Sequence, residues 1–232
     1  MVTNVEPFKK LYGELLSAVK DHPGDMCAFF SQTGKHYYHA GKKLLFIGKS
    51  VNGWVNNARD VEELFDPHNP DRIVNRDDEI VWVEDAAETS SGYNTNRSAY
   101  WRVIKKVTQD FYGKDDWYNH IAWTNLYKIS PWAGNPSGTL RQMQEAVCVK
   151  ILNEEIKTLK PDVVIFLSSG WEDFYLKSTG LDPQKNQVKT WGAHETRCQT
   201  KDGITWIMSP HPMGKEEGAH VTAILEILRE EK

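Results

Sequence analysis

The sequence predicts an α/β protein: a three-layer α/β/α sandwich around a central, mostly parallel four-stranded sheet. Three observations carry this. Two short runs, Leu44–Ile47 and Val163–Leu167, are apolar at every position, as strands covered on both faces are. Other stretches place apolar residues three and four apart, as helices with one buried face do. The two patterns alternate along the chain, the order that a parallel sheet with crossover helices requires.

Each element follows from its local pattern. Phe8, Leu11, Leu15, Leu16 and Val19 make one stripe, which predicts a helix over 5–20. Residues 21–42 read as loop, with turn signals at Pro23-Gly24 and Gly34. The first strand, Leu44–Ile47, stops at Gly48. Residues 49–96 are rich in Asn, Asp, Gly and Pro and predict a long loop region, broken by a short strand at Ile80–Val83. Tyr100, Val103, Ile104 and Val107 predict a helix with Ser98 as its N-cap. His120–Ile129 reads as a strand running into a loop that opens with Pro131. A long helix over 139–159 and the strand Val163–Leu167 follow, with Pro161 between them. A short helix is expected at 171–176. Residues 187–199 and 204–208 read as two strands joined by a turn at Lys201-Asp202-Gly203. Val221, Ile224, Leu225 and Leu228 close the chain with a helix. No repeat, low-complexity tract or linker interrupts the series. The whole of 1–232 is read as one domain, with 1–42 as an N-terminal extension and 43–230 as the core.

Composition narrows the function. No apolar run approaches the roughly 20 residues that cross a bilayer, and MVTNVEPFKK lacks a secretory leader, so a cytoplasmic address is expected. Three scattered cysteines, Cys27, Cys148 and Cys198, supply neither a disulfide framework nor the four thiolates of an iron–sulfur cluster. No His, Cys, Asp and Glu spacing suits zinc, so neither metal nor cofactor is expected. With 28 Lys and Arg against 32 Asp and Glu, the net charge is −4, and any nucleic-acid contact would need a local positive face. Nine tryptophans and nine tyrosines offer faces for stacking on bases, although aromatics are also ordinary core residues.

In open α/β sheets ligands bind beyond the carboxyl ends of the strands. The segments there are GKSVNGW at 48–54, TNLYKISPW at 124–132, SSGW at 168–171 and SPHPMG at 209–214. Gly48-Lys49-Ser50 lacks the earlier glycine of a phosphate-binding P-loop. Ser50 is a candidate hydrolase nucleophile with His211 or His220 as base, though the GxSxG elbow is absent. Glu217 and His220 spell ExxH, a spacing that on a helix more often marks a solvated face.

The order of these segments resembles the uracil-DNA glycosylase-like superfamily. The resemblance spans roughly 43–230 and is carried by Trp123–Lys128, Lys160–Trp171, Ser209–Gly214 and the helix RSAYWRVIKKV at 97–107. It implies the α/β/α fold and an enzyme that flips a base from the stack and hydrolyses its N-glycosidic bond. By position, Asn125 would read the base edge and His211 would support the departing anion. The first loop departs from the family's Gly-x-Asp-Pro or Gly-x-Asn-Pro: Ser50 stands third and Val51 replaces the proline, with Asn52 two residues on. Met213 stands where the family has Ser after His-Pro. The resemblance therefore gives Ser50, Asn52 and His211 as catalytic candidates, and Gly48, Trp54, Asn125 and Trp132 as base-binding ones. Met213, as an apolar wedge, and Lys215 are candidate DNA contacts. The expected partner is DNA, single-stranded or damaged, or a free base or nucleotide. Two other classes stay open: a non-catalytic base- or nucleotide-binding module, and a Ser50 hydrolase.

Overall fold

The computed structural model describes residues 4–56, 58–76, 79–90 and 92–230. In chain order its helices and strands are α1 (Glu6–Val19), β1 (Met26–Ala28), β2 (Gln32–Thr33), β3 (Leu44–Gly48), α2 (Val61–Phe65), α3 (Trp82–Asp85), α4 (Ala99–Tyr112), β4 (Ile121–Asn125), β5 (Ile129–Pro131), α5 (Gly138–Leu159), β6 (Val163–Leu167), α6 (Asp173–Thr179), β7 (Gln187–Trp191), β8 (His194–Lys201), β9 (Ile204–Ser209) and α7 (Glu217–Glu230).

The fully apolar runs become neighbouring central strands. β3 pairs in parallel with β4 on one side and β6 on the other, and β6 pairs in parallel with β9. Alternate side chains point to opposite faces. Leu44, Phe46, Val163, Ile165 and Leu167 meet Ile104 and Val107 of α4 and Ile224 and Leu228 of α7. Leu45, Ile47, Val164 and Phe166 meet Leu152 and Leu159 of α5 and Tyr175 of α6. Helices thus cover both faces, which is why these strands carry no polar residue. Each large apolar side chain buried this way contributes about 1.5–3 kcal/mol before entropy is counted.

The expectation of four strands is corrected by the edges. The sheet has seven strands in the order β2-β4-β3-β6-β9-β8-β7, of which β4, β3, β6 and β9 form the parallel centre. β2, β8 and β7 extend it antiparallel. β2 falls in the segment read as loop, as does β1, which pairs with β5 in a separate two-stranded sheet. Pro131 therefore ends a strand rather than opening a loop. The run 187–199 is two strands, turned at Gly192, whose φ of 58° is a left-handed conformation that glycine adopts freely. Ile80–Val83 is helical: a 3-10 turn at Glu79–Val81 leads directly into α3. Ser98 does sit at the N-cap of α4, but its side chain makes no capping hydrogen bond.

Helix ends set the crossovers. The Ser137 hydroxyl accepts the Leu140 N–H and opens α5; Lys160 closes it in a left-handed conformation, and Pro161 cannot continue it. Asp162 then ties two strands together: its carboxylate accepts the Lys43 N–H at 2.7 Å and its own N–H donates to the Lys43 carbonyl at 3.0 Å. The central strands consequently finish level, Gly48 beside Asn125 and Leu167 beside Ser209. No helix among the described residues is long and apolar enough to cross a membrane.

Candidate functional site

A cleft of about 760 Å³ opens where the central strands end. Its lining comes from the loop after β3, the end of β4, the start of α4, the α3–α4 connection and the loop after β9. Gly48, Asn125 and His211, far apart in sequence, share this lining.

The floor is built around Gly48. A Cβ there would stand 2.5 Å from Asn125 Oδ1 and 2.9 Å from the Tyr100 hydroxyl, so only glycine lets both side chains close over the strand end. Past Gly48 the pairing continues, with the Leu126 N–H donating to the Gly48 carbonyl at 2.9 Å and the Tyr127 N–H to Lys49 at 3.0 Å. Asn125 is 2% exposed, and its buried Nδ2 finds no hydrogen-bond partner among the described residues. The Tyr100 hydroxyl and the Trp123 indole N–H are also buried, and among the described residues they face no polar partner but each other. Burial holds the Tyr100 phenol far above its usual pKa, against the opposing influence of the Trp123 indole, so it stays protonated. Trp123 forms the back wall, with its ring 4.9 Å from Trp101 and 5.7 Å from Trp82.

His211 faces this floor. Its ring stacks on Tyr100 at 5.9 Å and 18°. The Ser169 hydroxyl accepts its backbone N–H at 2.7 Å, tying the loop after β9 to the loop after β6. Burial first, then the cations Lys49 and Lys215, push its pKa down to about 4. At neutral pH the imidazole is therefore uncharged. Its Nδ1 accepts the Met213 N–H at 3.3 Å, which places the ring proton on Nε2 and leaves a neutral donor there.

The charge on the lining is cationic. Lys49, Arg97 and Arg102 contribute to it, and no carboxylate does among the described residues. Glu217 of α7 holds Arg102, whose Nε donates to it at 2.9 Å. Lys49 lies over the Trp171 ring at 4.9 Å, and burial, followed by Lys215, lowers its pKa.

The other sequence candidates fall into three groups. Trp54 and Met213 line the cleft, Met213 as a rim residue 73% exposed. Ser50 and Asn52 also line it, but their side chains hold a neighbouring loop. The Ser50 hydroxyl donates to Asn135 at 3.2 Å and Asn52 accepts the Gly134 N–H at 2.8 Å. Among the described residues no histidine is hydrogen-bonded to Ser50. Val51 turns inward to the apolar core. Trp132 and Lys215 are not part of the lining. The Trp132 indole donates to the Met26 carbonyl at 3.2 Å, and Lys215 reaches the site through its charge on His211 and Lys49 and through its ammonium, which donates to the Met213 carbonyl at 3.5 Å.

His220 is no base for the cleft. It is fully buried, stacks on Trp191 at 4.5 Å and shares a 2.7 Å hydrogen bond with Ser209. The ExxH pair is thus one ion-paired glutamate and one core histidine, not a solvated face. All three cysteines are buried and unbridged. Among the described residues no group of three or more His, Cys, Asp or Glu is placed to hold a metal ion.

Tyr100, Trp82, Tyr93 and Trp123 were not singled out by the sequence as site residues. Tyr100 is the instructive case. It belongs to the apolar stripe that identifies α4, so periodicity counts it as core. Only its place in the first turn of a helix that begins at the strand ends distinguishes it. A scan against protein-family models finds no match, and a search of curated proteins finds none.

Proposed function

We propose that this cleft binds a nucleobase, carried by DNA or by a nucleotide, and that His211 assists hydrolysis of its N-glycosidic bond. One observation carries the reading: an unpartnered, buried Asn125 carboxamide and a neutral His211 donor meet in one aromatic, cationic cleft. A carboxamide matches the mixed donor and acceptor edge of a base. The aromatic walls suit its faces, and Lys49 and Arg97 suit its phosphates. Helices over both faces of a parallel centre agree with the α/β/α sandwich that the resemblance implies. In the reaction, water adds to C1′, the C1′–N bond breaks with its electron pair going to the base, and the proton lost by the water ends on the base, which leaves neutral. The His211 Nε2–H donates to the base oxygen on which that charge collects. With no carboxylate on the lining among the described residues, this donor provides most of the acceleration.

The test is release of uracil from a single-stranded oligonucleotide. Cleavage should survive EDTA and fall by about 10²–10³ in His211→Ala, the usual effect of losing one preorganised donor. An unchanged rate in that variant contradicts the assignment. The engagement of Ser50 and Asn52 with the 134–135 loop favours a second reading, base binding without cleavage. In that case wild type binds but does not cleave, and Ser50→Asp, which supplies a carboxylate, should gain activity.

A further inference from the structure

The loop that carries His211, Met213 and Lys215 is closed at its base by a buried chain of hydrogen bonds. Ser209, the last residue of β9, shares a 2.7 Å hydrogen bond with His220 Nε2 in the first turn of α7. These two residues stand on either side of the loop 210–216. Ser209 also shares a 2.8 Å hydrogen bond with the Thr196 hydroxyl of β8, and the Trp191 indole at the end of β7 donates to Thr196 at 3.0 Å. The Trp191 ring then stacks on the His220 imidazole at 4.5 Å, so the chain closes on itself. Thr196 and His220 are fully buried, and Ser209 is 2% exposed. On the cleft side the same strand end is held again. The Ser168 N–H donates to the Ser209 carbonyl at 3.3 Å, and two residues on the Ser169 hydroxyl accepts the His211 N–H.

The chain has a direction. An indole N–H can only donate, so the Thr196 oxygen accepts it. The Thr196 proton then goes to Ser209, and the Ser209 proton goes to His220 Nε2. Any other order leaves a hydroxyl proton with no acceptor in the chain, a cost that buried polar groups avoid. The ring proton of His220 therefore sits on Nδ1, opposite to that of His211. We propose that His220 is a positioning residue: by accepting the Ser209 proton it clasps the base of the loop and fixes where His211 meets the cleft. The inference rests on the reading of His211 as donor to a bound base and goes beyond it. Such a donor aids a departing anion only when it is held in place beforehand. The antiparallel strands β7 and β8, remote from the cleft lining, thereby act on the site through Trp191 and Thr196.

The test is the titration of His211, followed by NMR in the full chain without ligand. In wild type it should fall near 4. His220→Phe keeps a ring against Trp191 and removes the acceptor, and Ser209→Ala, a smaller change, cuts the chain in its middle. In both variants the loop loosens and water reaches the imidazole, so the His211 pKa should rise by at least about one unit toward its ordinary value near 6.5. His220→Gln offers Ser209 a carbonyl acceptor and should bring it back. With a single-stranded oligonucleotide containing uracil, His220→Phe should lower kcat by about tenfold with KM little changed, because Asn125 is untouched. A His211 titration unmoved in both His220→Phe and Ser209→Ala overturns the inference, and so does a His220 ring proton found on Nε2 in wild type. Wild type that neither binds nor cleaves uracil overturns the base reading instead, and the His211 titration still decides whether His220 places the loop.

Discussion

Two clusters of buried polar groups flank the end of β4, one densely hydrogen-bonded, apart from Glu155 Oε1, which is buried without a partner among the described residues, and one sparsely. On one face, the fully buried Lys128 ammonium donates to Glu155 at 2.7 Å and to Thr124 at 2.6 Å, and Thr124 donates to the same carboxylate oxygen at 2.9 Å. Beside them Gln144 accepts the Lys128 and Ile129 N–H groups and donates to the Ile129 and Leu140 carbonyls. On the other face stand Asn125, whose Nδ2 finds no partner among the described residues, and Trp123 and Tyr100, which face only each other. Thr124 and Asn125 are adjacent, so strand alternation sends one into the paired cluster and the other to the cleft. The paired face holds the strand end in place. The sparse face is the one that the proposed base would complete.

The largest effect should come from breaking the paired face. Glu155→Ala strands a buried ammonium, which should cost about 3–5 kcal/mol in chemical denaturation. Asn125→Ala removes a group that makes no bond through Nδ2, and should change stability by less than about 1 kcal/mol. A larger loss in Asn125→Ala than in Glu155→Ala would reverse the comparison.

Gly48→Ala sharpens it. The added methyl meets Asn125 Oδ1 at 2.5 Å and the Tyr100 hydroxyl at 2.9 Å, so one of them must move. Overpacking of this kind costs about 1–3 kcal/mol, and base binding should fall with it. Unaltered stability and binding would mean that the floor is looser than described.

The smallest effect concerns pH. The pKa values of His211 and His220 are both pushed down to about 4, by burial first. Between there and the ordinary histidine range near 6.5, the unfolded chain binds protons that the folded chain refuses. Stability from these two residues is thus complete above about pH 6.5 and declines as pH falls toward 4. Histidine resonances followed by NMR should show both titrating near 4. Titration of either near 6.5 would contradict the burial assigned to it.

How much of this was legible beforehand varied with the physics. β3, β6 and α5 were plain, because burial on two faces or on one helical face leaves a periodicity. The parallel centre followed from their alternation. β1 and β2 were not legible, being three and two residues long, too short for any period to register. The three-strand run β7-β8-β9 was read as two strands because Gly192 lies inside an otherwise extended pattern. At the site, Gly48, Asn125 and His211 were found because they lie in segments at the carboxyl ends of strands and at positions that the resemblance marks. Glu155 and Tyr100 were not, since both sit on helices whose periodicity explains them as core or surface. Nothing in one dimension tells that Tyr100 folds over Gly48, or that Ser50 and Asn52 spend their side chains on the 134–135 loop.

The central claim is that the unpaired carboxamide of Asn125 and the neutral imidazole of His211 bind one base. The most direct measurement is a nitrogen-15 NMR titration of the full chain with uracil, following the side-chain resonances of both residues. Asn119 is the control, its Nδ2 donating within the protein to Asp116 at 3.3 Å. The account predicts saturable shifts at the Asn125 amide and the His211 Nε2, with one shared dissociation constant, and none at Asn119. No shift at Asn125, or shifts of equal size at Asn119, would contradict it.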